Sequence, residues 1–328
     1  MRVERSSETV LGSKAAARDG ARMQGKQEMM SNQVILILLL FSFHQNLLAF
    51  STPSPGDANS SLPLNWTQMK GTHNSYHMRR LIFYLSEWDY TFPPLDVQAA
   101  RYNIRAFELD LHVSYDNDGL QVYHIYGLDD KSNCKKFVRC LAQLRRFSDS
   151  HPRHSPLFVF LEIKEMAGGL PFDHFELLES NIKTYLGDRI VTPDELQGHA
   201  QSLKAAVLRK GWPTVGQMAG RIFFILHTTR NNHAKKYTHN FTSLKGRVMF
   251  AKATEDQVGL PWALFTHVSA ERLDKIAELK RKGLMVLTSG CLAKTPRSKC
   301  SRKKRAARRS GANIIKEDNL EGLNSAGL

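Results

Sequence analysis

No apolar run in the sequence is long enough to cross a bilayer. A spanning helix needs about 20 consecutive apolar residues, and the apolar block at 34–43 stops at His44-Gln45-Asn46. Its length fits the apolar segment of a secretory signal, with Ala49-Phe50-Ser51 as a small-x-small cleavage site. A retained signal anchor is the alternative, and Met29 or Met30 is a possible true start. Cysteine is scarce, with four in 328 residues. Cys134/Cys140 and Cys291/Cys300 lack the tight spacing of a zinc module. An oxidising compartment would let both local pairs bridge, although four cysteines allow three pairings. There is no internal repeat and no Gly-rich phosphate loop. Acidic residues are absent from 294–309, which holds nine Lys/Arg.

That run explains most of the formal charge of +15. Outside it and the first 29 residues the balance is +4, ordinary for a globular chain. The run reads as a solvated loop, or as a patch facing an anionic membrane surface. Hydrophobic residues make up 42%, enough for a sizeable core. Sequons at Asn59, Asn65 and Asn240 agree with export, so the expected location is secreted or extracellular. The expected organisation is an N-terminal extension with signal peptide or anchor at 1–51, a linker at 52–62, one domain at 63–318 and a polar tail at 319–328.

Candidate strands occur at 66–72, 104–113, 120–125, 157–164, 221–227, 247–253, 284–289 and 312–316. Helical spacing of apolar residues at 136–148, 172–186 and 270–282 separates several of them. Eight strands with mostly helical connections imply an α/β fold, a single-domain (β/α)8 TIM-type barrel, irregular in the β2–β3 region where Tyr115-Asp116-Asn117-Asp118-Gly119 replaces a helix. A doubly wound open sheet is the alternative.

Strand alternation puts Glu108, Asp110 and His112 on one face of the second candidate strand, and Glu162 and Lys164 on one face of the fourth. Close carboxylates repel unless a cation neutralises them. Oxygen-only donors point to Ca²⁺ before Mg²⁺, and away from zinc. The bland alternative is a salt-bridge network with Lys164 and Arg105. His73 ends the first strand, with Asn74 offering a carbonyl oxygen beside it, and His124 ends the third. Two histidines flanking a phosphate can serve as base and acid, because both titrate near neutral pH.

Thr72-His73-Asn74-Ser75-Tyr76, Glu108-Leu109-Asp110, Val122-Tyr123-His124 and Leu161-Glu162-Ile163-Lys164, with a closing Ser310-Gly311-Ala312-Asn313-Ile314-Ile315, resemble the small, secreted, calcium-dependent branch of the phosphoinositide-specific phospholipases C. The resemblance spans about 66–318. It implies cleavage of phosphatidylinositol-type lipids to diacylglycerol and a cyclic inositol phosphate. It implies His73 at the phosphorane, His124 as general acid, Asn74, Glu108, Asp110 and Glu162 as Ca²⁺ ligands, Glu108 or Glu162 as proton acceptor, and Lys164 on the phosphate. The partner it implies is a phospholipid at an anionic membrane surface; no nucleic acid and no obligate protein partner are expected. Two stretches depart from the family pattern. Thr288-Ser289-Gly290-Cys291-Leu292-Ala293-Lys294 has Lys where an acid is usual, and Lys316-Glu317-Asp318 replaces a Ser-Thr-Asp-Tyr-like ending. Both are expected on the substrate side, away from the metal cluster. A glycerophosphodiesterase or sphingomyelinase-D-like enzyme on the same barrel is the competing class, but its first motif usually reads His-Arg-Gly where this chain has His73-Asn74-Ser75. An inactive lipid-binding barrel is a further alternative.

Overall fold

The computed structural model describes residues 61–80, 85–113, 119–164, 173–228 and 231–320. The chain divides after Ser54 into two units. The first, with the apolar block and the expected cleavage site, lies outside the described residues, as does the tail from 321.

Among the described residues, ten strands form one sheet: β1 (Met69–Thr72), β2 (Ala106–Val113), β3 (Leu120–Val122), β4 (Leu157–Ile163), β5 (Ile190–Val191), β6 (Ile222–His227), β7 (Phe250–Ala253), β8 (Phe265–His267), β9 (Met285–Ser289) and β10 (Ile314–Glu317). Strands β1, β2, β4, β6, β7, β8, β9 and β10 pair in parallel in that order, and β10 closes on β1 from Met69↔Ile314 to Thr72↔Glu317. Closure excludes the open doubly wound sheet.

The stave expected at 120–125 is not a stave. Leu120–Val122 returns antiparallel along the end of β2, from Leu111↔Val122 to Val113↔Leu120. The link of only six residues between Val113 and Leu120 explains this, since a parallel crossover needs a dozen residues or more. The missing stave is Phe265–His267, too short for its alternation to stand out in the sequence.

Helices α1 (Leu95–Arg101), α2 (Phe137–Ser150), α3 (Phe175–Leu186), α4 (Pro193–Gln197), α5 (Leu203–Lys210), α6 (Asn231–Tyr237), α7 (Leu273–Arg281) and α8 (Arg297–Arg309) fill the connections. The expected spacing holds in α2, which buries Phe137, Leu141, Leu144 and Phe147. The basic run is not a loop. Most of it is α8, which packs Ala307 against Ala270 and Ile315. Both expected disulfides form, Cys134–Cys140 and Cys291–Cys300, the second stapling α8 to the loop before it. No helix among the described residues is long and apolar enough to cross a membrane.

Residues paired across parallel strands share a face. Through Ala106↔Phe158, Phe158↔Phe223, Phe160↔Ile225 and Ile225↔Phe250, the interior fills with rings and branched chains. Phe158 stacks on Phe223 at 4.8 Å, and Phe250 meets Phe265 at 5.5 Å. Each such burial stabilises by about 1.5–3 kcal/mol. This dry plug ends toward the C-terminal ends of the strands, where Glu108, Asp110, Glu162, His227, Lys252, His267 and Lys316 continue the same face.

Candidate active site

His73 follows the last residue of β1. Its Nδ1 lies 3.0 Å from Asp318 Oδ1, while Asp318 Oδ2 accepts the Ala293 N–H at 2.7 Å. An ionised carboxylate only accepts, so Nδ1 donates. Nε2 then faces the mouth, 4.0 Å from Glu108 Oε2. Burial pulls the His73 pKa down, but the Asp318 bond and the Glu108 charge outweigh it and leave the ring above its ordinary value.

His124 lies just past β3, immediately before a tight loop closed by the Ile125–Asp129 bridge. Its Nδ1 is 2.8 Å from Asp129 Oδ2. The Asp129 carboxylate also meets His77 Nε2 at 2.9 and 3.1 Å, and His77 Nδ1 faces the Tyr90 carbonyl at 2.9 Å. Burial pushes the Asp129 carboxyl up, but the His124 and His77 bonds prevail and hold it below its usual range. Each mouth histidine therefore has one nitrogen on a buried carboxylate. The His73 and His124 side chains remain 32% and 25% exposed, open enough to meet a substrate.

The three carboxylates lie on the paired strands β2 and β4. Glu108 accepts Lys316 Nζ at 2.8 Å on both oxygens, and His227 Nδ1 lies 2.9 Å from Oε1. Lys164 Nζ lies 2.9 Å from Asp110 Oδ2 and 2.7 Å from Glu162 Oε1. Burial, against the pull of Lys164 and with the neighbouring acids adding to it, raises the Asp110 carboxyl to about 6. Glu108 and Glu162 are held low despite burial, Glu108 chiefly by Lys316 and Glu162 chiefly by His227 and Lys164. Asn74 is buried in a left-handed turn at φ 47°, and the next N–H, from Ser75, donates to the Glu108 carbonyl at 2.9 Å. That bond docks the end of β1 on β2.

The seven sequence-derived candidates thus gather at one rim. Two expectations fail. Arg105 does not reach the acids; its guanidinium bonds the carbonyls of Ala99 and Ile104. Lys316 is not confined to the substrate side, because it binds a carboxylate of the proposed metal cluster. Sequence reasoning also missed Asp129, His77, His227 and Lys252. His227 ends a visible strand and had the same signal as His124. Asp129 and His77 lie off the barrel staves, where no periodicity marks them. Lys252 points inward from β7, and burial brings its pKa down to about 8.

The carboxylate oxygens suit a hard cation, but the cluster is not oxygen-only as expected, because His227 adds an imidazole nitrogen. Glu108, Glu162 and His227 each bring a ligand atom within 4.8 Å of the others. Both Asp110 oxygens are buried and make no hydrogen bond, and the Lys164 ammonium 2.9 Å from Oδ2 is the positive charge facing them. A buried carboxylate is costly unless positive charge faces it, a place a cation at this rim would share with Lys164.

A family model described as "Phosphoinositide phospholipase C, Ca2+-dependent" matches residues 112–325. The chain belongs to this family. The phospholipase C fold is shared with solved structures. A Ca²⁺-dependent phosphatidylinositol-specific phospholipase C from Streptomyces antibioticus is 18% identical, covering 80% of this chain and 96% of its own, at a TM-score of 0.60. A calcium-dependent phosphoinositol-specific phospholipase C from Pseudomonas sp is 17% identical, covering 84% and 98%, at 0.62. No curated protein matches the sequence. The matched stretch includes His124, Glu162 and Lys164, while His73, Asn74, Glu108 and Asp110 precede it and join the site through the strand register. Family membership makes the protein a phosphodiesterase of the phospholipase C class and decides against the glycerophosphodiesterase alternative.

Proposed function

We propose that the protein cleaves phosphatidylinositol-type lipids to diacylglycerol and a cyclic inositol phosphate, with Ca²⁺ bound at Asn74, Glu108, Asp110 and Glu162. The observation that carries this reading is the pair of mouth imidazoles, His73 and His124, each backed by its own buried carboxylate. The inositol 2-hydroxyl oxygen forms a bond to phosphorus as the bond from phosphorus to the glycerol oxygen breaks. His73 Nε2 takes the hydroxyl proton. The Asp318 bond supports this assignment, because it makes Nδ1 the donor and leaves Nε2 free to accept, whereas Glu108 and Glu162 are engaged by lysines and assigned to the metal. His124 Nε2 gives a proton to the departing glycerol oxygen, and Asp129 stabilises its imidazolium before the transfer. When bound, Ca²⁺ would supply positive charge at the phosphate oxygens and lower the hydroxyl pKa. Lys164, already shared by two acids, sits at the edge of the cluster as the candidate phosphate partner.

Exposed Ile125, Tyr126 and Leu128 directly follow His124, 37%, 69% and 49% open, and Trp88 meets His124 edge-on at 6.2 Å. An apolar lip beside the acid suits contact with a lipid surface. The two disulfides support an extracellular setting. Incubation with phosphatidylinositol vesicles, with Ca²⁺ or with a chelator, followed by phosphorus NMR, should show cyclic inositol phosphate only with Ca²⁺. Phosphatidic acid as product, or no turnover in either condition, would overturn the reading.

A further inference from the structure

Lys316 is foreign to the motif set, yet it contacts both oxygens of a mouth carboxylate, Glu108. It is 5% exposed and Glu108 1%, so the pair is removed from water. It reaches Glu108 from β10, across the whole of β1. The register explains how: Lys316 pairs with Gly71, and Gly71 pairs with Ala106, so the three share the interior face. Gly71 has no side chain and Ala106 only a methyl, so no bulky group stands on that face between β10 and Glu108. The fit is close, since a Cβ on Gly71 would stand 3.0 Å from Ala106 Cβ.

The ammonium sits 2.8 Å from both Glu108 oxygens. A divalent ion drawing on Glu108 needs those same oxygens. Lys164 meanwhile covers Asp110 and Glu162, and Lys252 faces Glu108 and Glu162 from β7, so three tethered amines face three acids. We propose that Lys316 is a built-in competitor for the metal: it neutralises Glu108 in the metal-free protein and must withdraw before a divalent ion can take that carboxylate, which weakens metal affinity. Lys316 acts through Glu108 and is a positioning residue in this sense. The inference rests on the calcium reading above.

The test compares the full chain with Lys316→Met, which keeps length and loses charge, and Lys316→Arg, which keeps charge. Binding is read by calorimetry with Ca²⁺ and by Tb³⁺ luminescence. Lys316→Met should bind at least tenfold more tightly, while Lys316→Arg stays within about threefold of the parent. Lys316→Met should also melt lower in chelator and gain the larger Tm rise on adding Ca²⁺. Equal or weaker affinity in Lys316→Met overturns the proposal while leaving the calcium reading intact, provided the parent binds. No binding of Ca²⁺ or Tb³⁺ to either protein overturns both. Should Lys316→Met not fold, amine-reactive labelling of the parent decides. Lys316 should be protected in chelator and labelled at saturating Ca²⁺; protection in both conditions overturns the proposal.

Discussion

Asp129 holds two imidazoles with one buried carboxylate, and only one of them, His124, opens to the mouth. The carboxylate fixes the His124 tautomer by accepting from Nδ1. An amide at this position offers a donor as well as an acceptor and loosens that choice. Asp129→Asn should lower turnover of natural lipid by about 10²–10⁴-fold while sparing a substrate whose leaving group needs no acid. Parallel assays on the two substrates check this, and equal losses would remove Asp129 from the support of the acid. Its pKa also carries a stability consequence. The folded value is depressed, so the contribution to stability is present above the ordinary value of 3.8 and fades as pH falls through the lower folded value. The variant should therefore unfold at lower urea than the parent at pH 7, with the two converging in strong acid.

Helix α8 poses the corresponding question for an element. Arg297, Lys299, Arg302, Lys303, Arg305, Arg308 and Arg309 are exposed, with no acid in the helix. Strands β9 and β10 are parallel, so the helix between them returns down the outer wall. Over 13 residues it descends about 20 Å, and only its first turn stays near the mouth. Its small apolar face is spent on Ala270 and Ile315, leaving nothing to insert into lipid. Basic side chains engaged at a membrane contribute about 1 kcal/mol each, so losing three would cost roughly 10²-fold or more in binding. Changing Arg302, Arg305 and Arg309 together to Glu should instead leave turnover on anionic vesicles within about twofold at physiological salt, as followed by lipid hydrolysis and vesicle sedimentation. A hundredfold loss would place the helix at the bilayer.

For the whole molecule the decisive event is closure of the sheet, and β1 makes it with four residues. Its link to β2 is one register pair, Gly71↔Ala106. A side chain on Gly71 would press on Ala106 Cβ and, at 3.2 Å, on its carbonyl. Gly71→Val should lower the unfolding free energy by about 1–3 kcal/mol, read from urea titrations with an unchanged slope. Unaltered stability would show that the contact with Ala106 has room to spare.

Much was legible before any coordinates. The alternation in Ala106–Val113 and Leu157–Ile163 placed Glu108, Asp110 and Glu162 on one face, because side chains alternate strictly along a strand whatever lies around it. The positions of His73 and His124 at the ends of candidate strands marked them as rim residues, and the local cysteine pairs were near enough in the chain to bridge. What adjoins what across the barrel was not legible. That Lys316 reaches Glu108, that Asp318 backs His73, and that His227 joins the acids follow from which strands become neighbours and in what register. Chain sequence records only near neighbours directly. Contacts between residues 200 positions apart exist only once the sheet has closed, and there the charges of the mouth are decided.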